Sequence, residues 1–299
     1  MSAKRNGEGP DGLVVVDKEA GWTSHDVVAK SRGLLGTRKV GHSGTLDPDA
    51  TGVLLLGVGR VTRLLKYLTA LPKTYTCDIV FGTETSTLDD SGEVTATHNM
   101  STLQFVDVER AAITLTGDIM QIPPMVSAVK IDGKRLHQLA REGIEVERAP
   151  RPVTIYRFTV SPTVDPLVVR AEVECSSGTY VRTLAADLGT ALGGGAHLRD
   201  LRRTTIGSFT LDGALPLEKV TPEMLLTPAE AMRDKATVTA TEAERIDVGH
   251  GKVLLIDDRF VGDGPWAVHD ANGQLLAVYI AHSNGTAKAD VVVAPVDGR

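Results

Sequence analysis

Apolar and polar positions alternate along the chain in a way that predicts both strands and helices. The continuous apolar run Leu13–Val16 predicts a buried strand, which Gly21-Trp22 ends. A helix is expected to follow through Arg32, capped by Thr23 or Ser24. The same patterns predict further strands over 74–82, 157–164 and 167–176, and further helices over 60–71, 102–115 and 180–192. Strands interspersed with helices indicate an α+β fold with a mixed central β-sheet and flanking helices.

Three segments depart from this pattern and predict the domain organisation. Residues 121–152 combine prolines, a short basic helix near 134–142 and many charges, which is typical of an insertion that projects from a fold. Residues 211–234 are helical and punctuated by proline, as a linker would be. Short β-like runs at 274–280 and 289–293 indicate a small β-rich C-terminal domain. We therefore predict a disordered tail over 1–11, a main domain over 12–234 and a C-terminal domain over 235–299.

The polar run from Gly41 to Thr51-Gly52 is the strongest candidate for chemistry. It contains Gly, Ser, Thr, Pro and two Asp, a composition that predicts a loop. The apolar residues 53–56 follow at once, so the loop is expected to rest against a core that shields a carboxylate from water. Such a carboxylate is costly to hold without a charge partner.

Three chemical interpretations of this loop are possible from the residues alone. A nucleophile elbow requires Gly-x-Ser-x-Gly, and Thr45 occupies the place of the second Gly. A metal site is weakly indicated, because His42 has no second His or Cys nearby and no Glu follows Asp47 and Asp49 at calcium-loop spacing. A lone catalytic carboxylate remains, with an ordinary Asp-Pro turn as its alternative.

Composition and charge narrow the class of protein. With 299 residues, 42% of them hydrophobic and 23% charged, the chain is long enough for two domains of a globular protein. No apolar run approaches the length of a membrane span, and the polar N-terminus lacks a signal core, so we expect a cytoplasmic protein. Cys77 and Cys175 lie in strand-like runs and are expected to be buried free thiols.

The net charge of −6 argues against a nucleic-acid partner, but the charges are unevenly distributed. Basic residues concentrate over 130–157 and again at Arg199, Arg202 and Arg203, while the acidic excess lies elsewhere. These clusters could form a local basic face for a phosphate backbone, or only a solvated charged surface.

Several motifs of the chain can be compared with those of known families. The candidate loop has the pattern Gly-His-x-Gly-x-Leu-Asp-Pro-x-Ala-x-Gly, and further blocks follow at Lys73-Thr74-Tyr75, 123–130, 177–184 and 197–204. In pattern and order, over about residues 10–230, these blocks resemble the TruB family of bacterial tRNA pseudouridine-55 synthases. The resemblance implies a cofactor-free and metal-free isomerase, expected to be a monomer, that acts on the T stem-loop of tRNA. It also implies that the C-terminal domain is PUA-like, a small RNA-gripping β-barrel.

The resemblance assigns roles residue by residue. It makes Asp47 the nucleophile, Arg182 its charge partner and Tyr75 the aromatic that stacks on the flipped base. It also implies substrate contacts for six further residues, which are His42, Lys73, Lys130, Arg141, Leu201 and Arg202. Attack on the sugar, attack on the pyrimidine and elimination to a glycal all use the same Asp, so the route stays open.

The basic insertion matches the family's thumb, with one departure. His137 stands where the family usually has an aromatic residue, which leaves the packing of the thumb open. A non-catalytic tRNA-binding or chaperone protein on the same scaffold is the alternative function. A small-molecule hydrolase that uses Asp47 and His42 would not explain the thumb or the paired arginines, and a guide-RNA-dependent enzyme would carry a lysine-rich tail that is absent here.

Overall fold

The computed structural model describes residues 9–127, 130–131, 134–135, 144 and 146–294. The chain divides into two compact units. The first comprises Met1–Pro48, Gly52–Thr69 and Gly207–Arg299, and the second comprises Asp49–Thr51 and Ala70–Ile206.

The secondary structure mixes strands, α-helices and 3-10 turns. The strands are β1 Gly12–Lys18, β2 Val40–Ser43, β3 Thr51–Val58, β4 Lys73–Phe81, β5 Thr83–Thr85, β6 Val94–Thr97, β7 Gly117–Gln121, β8 Lys130–Ile131, β9 Lys134–Arg135, β10 Arg151–Pro162, β11 Val168–Cys175, β12 Ala196–Ile206, β13 Phe209–Thr210, β14 Leu215–Pro216, β15 Ala236–Thr239, β16 Leu254–Leu255, β17 Trp266–His269, β18 Leu275–Ala281 and β19 Thr286–Val292. The α-helices are α1 Ser24–Leu34, α2 Leu65–Thr69, α3 Phe105–Thr114, α4 Val181–Ala191, α5 Pro228–Ala231 and α6 Glu242–Gly249. The 3-10 helices are Gly59–Leu64, Leu211–Gly213, Leu217–Lys219 and Pro222–Met224.

In the first unit, the buried strand predicted at the N-terminus is confirmed as β1. It pairs antiparallel with β3 and parallel with β14, and β2 pairs with the other side of β3. Apolar side chains of β1 and β3 are almost fully buried because helix α1 and the segment after β14 pack into the same core cluster. The continuous apolar pattern of both strands reflects this burial on both faces.

The second unit contains an antiparallel run of strands in the order β12, β4, β11, β10 and β7. Strand β4 lies between β12 and β11, so both of its backbone edges are paired. Helix α4 packs against β12, and α3 packs against β10. Cys77 and Cys175 are buried free thiols, as the sequence predicts.

The C-terminal part of the first unit forms a separate five-stranded sheet in the order β15, β17, β18, β19 and β16. Its core includes Trp266 and Tyr279, both almost completely buried. The predicted α+β fold with a small β-rich C-terminal part is thus confirmed, whereas its likeness to a PUA domain and the predicted domain boundaries stay predictions. Asp290 of β19 pairs with Lys66 and accepts a hydrogen bond from the Tyr67 hydroxyl, both on α2.

Three local predictions need correction. The polar run is not a loop throughout, because Gly41–Ser43 belong to β2 and Thr51 begins β3, which leaves 44–50 as the loop. The basic helix predicted near 134–142 is wrong at Lys134–Arg135, which form β9 and pair with β8; residues 136–142 lie outside the described residues.

The third correction concerns 211–234, which is more than a linker. The segment contains the expected short helices, but β14 pairs with β1, and Leu217 and Val220 belong to the core cluster of the first unit. A two-residue strand has no detectable periodicity, so the sequence pattern could not reveal this pairing.

None of the helices in the described part of the chain has both the length and the apolar character needed to cross a bilayer.

Candidate active site

The candidate carboxylate, Asp47, lies in the short loop that joins β2 to β3. Leu46 and Ala50 of this loop are buried, whereas Asp47 is half-buried and Asp49 is exposed. Gly44 adopts φ 78°, a left-handed conformation that favours glycine, at the point where the chain leaves β2. The loop is therefore anchored by apolar side chains while its two carboxylates have different environments.

The buried side chain of Lys18, at the end of β1, holds the carbonyl that follows Asp47. Its Nζ donates hydrogen bonds to the backbone oxygens of Glu19, Trp22 and Pro48 at 2.9, 2.7 and 2.9 Å. The backbone N–H of Gly21 also donates to the Pro48 oxygen, at 3.0 Å. A buried ammonium is tolerated only when its donors are satisfied, and here three carbonyls satisfy them.

His42 lies in β2, two residues before the loop, and is half-buried. Its ring meets the ring of His25 on α1 edge-to-face, with centroids 5.2 Å apart and planes at 78°. Edge-to-face contact is a favoured arrangement for such rings. His25 was not foreseen from the sequence, because its place beside His42 arises from the packing of α1 on β2.

Tyr75 and Lys73 lie on the same face of β4 and are buried. Tyr75 stands directly opposite Arg203 on β12 and Val173 on β11. The Lys73 ammonium donates a hydrogen bond to the backbone oxygen of Leu71 at 2.6 Å. Burial, reinforced by the positive charge of Arg203, lowers the pKa of Lys73 to about 8.

Leu201 lies in a β-bulge of β12. Arg199 pairs with Asp78 and Arg202 with Thr76, so Asp200 and Leu201 together face one residue of β4. Asp200 adopts φ 54°, a conformation uncommon for a residue other than glycine. Bulges redirect side chains and are frequent beside active sites.

Arg202 directly follows this bulge. Its Nη1 donates a hydrogen bond to Thr51 Oγ1 at 3.2 Å.

Arg182 is the second residue of α4 and is 4% exposed, so it is not a surface arginine. Its Nη1 donates to the Thr87 oxygen at 2.9 Å and to the Asp89 carboxylate at 3.2 Å, while Nη2 donates to the Val126 oxygen at 2.9 Å. The planar guanidinium is thus fixed by acceptors on two sides, a geometry that lysine cannot reproduce. Its expected pairing with Asp47 stays a prediction.

Asp89 is a functional candidate that the sequence does not indicate, because it is one of the acidic residues outside the basic clusters and belongs to none of the recognised motifs. One of its carboxylate oxygens accepts from the Thr87 hydroxyl at 2.6 Å and from the Ser91 hydroxyl at 2.6 Å, and the other accepts from Arg182. The spacing Thr87-x-Asp89-x-Ser91 is a signal for such a turn, but nothing in it points to a partner far along the chain.

The start of α4 is held by the buried side chain of Gln121 at the end of β7. Its Oε1 accepts from the Tyr180 N–H at 2.7 Å, and its Nε2 donates to the Tyr180 oxygen at 3.0 Å. Because Tyr180 is the N-cap residue, this amide fixes the position from which Arg182 projects.

Two predicted substrate contacts belong to the thumb. Lys130 lies in β8, but its side chain is not among those described, and Arg141 and His137 lie outside the described residues. Their roles stay predictions.

Two protein-family models match consecutive parts of the chain. The N-terminal domain of TruB family pseudouridylate synthase matches residues 32–181, and the C-terminal domain of tRNA pseudouridylate synthase B matches residues 182–238. Together the matches span the Asp47 loop, β4, α4 and the bulge in β12.

Bacterial relatives are similar to this chain over most of their length. The chain is 45% identical to tRNA pseudouridine synthase B of Arthrobacter sp. (strain FB24) over 298 residues, 95% of this chain and 97% of that protein. It is 53% identical to the protein of the same name from Rhodococcus jostii (strain RHA1) over 247 residues, 80% of this chain and 81% of that protein. In fold, it resembles a chain of the crystal structure of a Cbf5-Nop10-Gar1 complex, with a TM-score of 0.74, 23% identity and coverage of 95% of this chain and 85% of that chain.

The fold and the family matches define an RNA-modifying isomerase of the pseudouridine synthase class. The chain belongs to the TruB family of pseudouridylate synthases.

Proposed function

We propose that this enzyme isomerises uridine 55 in the T loop of tRNA to pseudouridine, with Asp47 as the nucleophile. The observation that carries the proposal is the placement of Asp47, a half-buried carboxylate between Leu46, which is buried, and Pro48, whose backbone oxygen accepts a hydrogen bond from Lys18. The similarity to relatives named tRNA pseudouridine synthase B supports tRNA as the substrate.

The reaction breaks the glycosidic bond, turns the base over and joins C5 to the sugar. It needs no electron acceptor and no group donor, so a carboxylate nucleophile can carry it without a cofactor. Asp47 supplies that carboxylate on each of the three possible routes, through the sugar carbon, the pyrimidine ring or a glycal.

The target base must leave its stack before it can react, and an aromatic face then receives it. Tyr75 is proposed for this role because it is buried on a central strand and adjoins the charged Arg203 across the sheet. Leu201 offers an apolar side chain from the bulge in β12, and His42 would occupy space vacated by the flipped nucleotide. Lys73, Arg202 and the thumb residues Lys130 and Arg141 would bind the RNA backbone. We propose a cytoplasmic monomer as the working form.

The decisive experiment maps pseudouridine by mass spectrometry in unmodified tRNA treated with wild type, Asp47→Asn or Asp49→Asn. Asp49 is the matched control, because it is a carboxylate of the same loop but is exposed. We expect conversion at position 55 by wild type and Asp49→Asn, and tRNA binding without conversion by Asp47→Asn.

Near-wild-type conversion by Asp47→Asn would remove Asp47 from the mechanism. Binding without conversion by the wild type itself would favour the alternative, a non-catalytic tRNA-binding or chaperone protein.

A further inference from the structure

The buried hydroxyl of Ser24, in the first turn of α1, forms hydrogen bonds with the candidate catalytic loop. Ser24 Oγ accepts a hydrogen bond from the backbone N–H of Leu46 at 2.9 Å and lies 3.1 Å from the backbone oxygen of Leu46, to which it donates. Ser24 is 1% exposed and Leu46 is 3% exposed. The Ser24 hydroxyl thus hydrogen-bonds both the N–H and the carbonyl of Leu46, the residue that precedes Asp47.

The position of this hydroxyl is itself fixed. Thr23 is the N-cap residue of α1, its side chain accepts from the Asp26 N–H, and the Asp26 carboxylate accepts from the Thr23 N–H. This capping box anchors the backbone on which Ser24 stands. The hydroxyl therefore belongs to a rigid helix start, whereas its partner belongs to an irregular loop.

We infer that Ser24 is a positioning residue for Asp47, acting through the Leu46 peptide. The carbonyl of Leu46 belongs to the planar peptide that joins Leu46 to Asp47, so fixing this plane fixes where the Asp47 Cα lies. On the other side, the Pro48 oxygen is held by Lys18 and Gly21, and the Pro48 ring restricts Asp47 to extended conformations. The backbone around Asp47 is therefore held on both sides, through the Leu46 peptide and through the Pro48 oxygen.

This inference rests on the proposed role of Asp47, and the chain offers a matched control. Ser31 lies in the same helix, is 0% exposed and donates its hydroxyl to the Val27 oxygen at 2.8 Å, within the helix itself. Ser31→Ala removes a buried hydroxyl of the same kind without touching the loop.

The test compares Ser24→Ala with Ser31→Ala in three measurements: the single-turnover rate of pseudouridine formation in tRNA, the Kd for tRNA, and hydrogen exchange in the peptide that contains Leu46. We expect Ser24→Ala to lower the rate about 10- to 100-fold, the scale of a misplacement near 1 Å, with a Kd within about 3-fold of wild type. Exchange at Leu46 should accelerate in Ser24→Ala only. Ser31→Ala should leave the rate within about 2-fold.

Equal rates and equal exchange in the two variants would overturn the inference, as would a loss confined to tRNA affinity. If Ser24→Ala does not fold, Ser24→Cys decides, because its thiol is nearly isosteric but a weak donor and should give an intermediate rate. If wild type forms no pseudouridine, the proposed function fails, while the exchange comparison still shows whether Ser24 holds the loop.

Discussion

Replacing Arg182 by lysine should separate the geometry of this cation from its charge. The guanidinium donates on two sides, from Nη1 to Thr87 and Asp89 and from Nη2 to Val126. A lysine ammonium is a single nitrogen and cannot reach both sides at once. At least one hydrogen bond of a buried charged group is lost, and such bonds contribute roughly 1.5–3 kcal/mol each.

We therefore expect Arg182→Lys to lower the free energy of unfolding by about 2–4 kcal/mol, measured by urea denaturation. Turnover should fall by more than tRNA affinity, because lysine keeps the positive charge but cannot donate on two sides as the guanidinium does. Arg110→Lys is the control, since Arg110 is 75% exposed and pairs with Asp107 within one helix. Exposed pairs of this kind contribute about 0–1 kcal/mol, so the control should be nearly neutral.

A double-mutant cycle with Asp89→Asn tests whether the two residues act as a unit. Because they are in contact and largely buried, the combined effect should differ from the sum by about 1 kcal/mol or more. Additive effects, or an Arg182→Lys enzyme with unchanged stability and turnover, would refute the view that this network fixes the guanidinium for catalysis.

Three further outcomes are expected. Tyr75→Phe should retain stacking on the flipped base, whereas Tyr75→Leu should lose it, at a cost of about 1–3 kcal/mol in binding of that base. If Tyr75→Leu converts tRNA like wild type, the flipped base stacks elsewhere. Conversion of uridine should survive EDTA and dialysis, because the isomerisation needs no redox or transfer partner. Loss of activity in EDTA that one added metal restores would contradict this. The pKa of Lys73 is about 8 in the folded protein, against 10.5 for an ordinary lysine. Burying its charge therefore lowers the free energy of unfolding fully below pH 8, and this cost disappears as the pH rises to 10.5. Wild type should therefore gain up to about 3 kcal/mol of unfolding free energy relative to Lys73→Met across that range, and parallel pH profiles of the two proteins would refute the burial of a charged lysine.

Elements with a strong local signal could be predicted from the sequence. The apolar run of β1 and the cap of α1 are encoded by neighbouring residues, and the structure places both within a residue or two of the prediction. The loop that carries Asp47 could also be located from the sequence, because a polar run directly precedes the apolar residues of β3.

Features that depend on distant partners could not be predicted. Asp89 meets Arg182 across 93 positions, and each residue alone resembles an ordinary surface charge. The bulge that presents Leu201 depends on the positive φ of Asp200, a residue type with only a modest preference for that conformation. Here the tertiary structure, and not local propensity, determines the conformation.

The Asp47 loop and Arg182, both proposed for catalysis, are held by hydrogen bonds to backbone atoms. The Asp47 loop is held by Ser24 and Lys18 through backbone atoms, and Arg182 donates to the carbonyls of Thr87 and Val126. Bonds between buried groups are weakly screened by salt, unlike the exposed cations that meet a phosphate backbone. An enzyme with a net charge of −6 must bind a polyanion through a local basic surface, and its affinity therefore depends on ionic strength. We therefore expect the buried hydrogen bonds that hold these groups to depend less on salt than the contacts to RNA do.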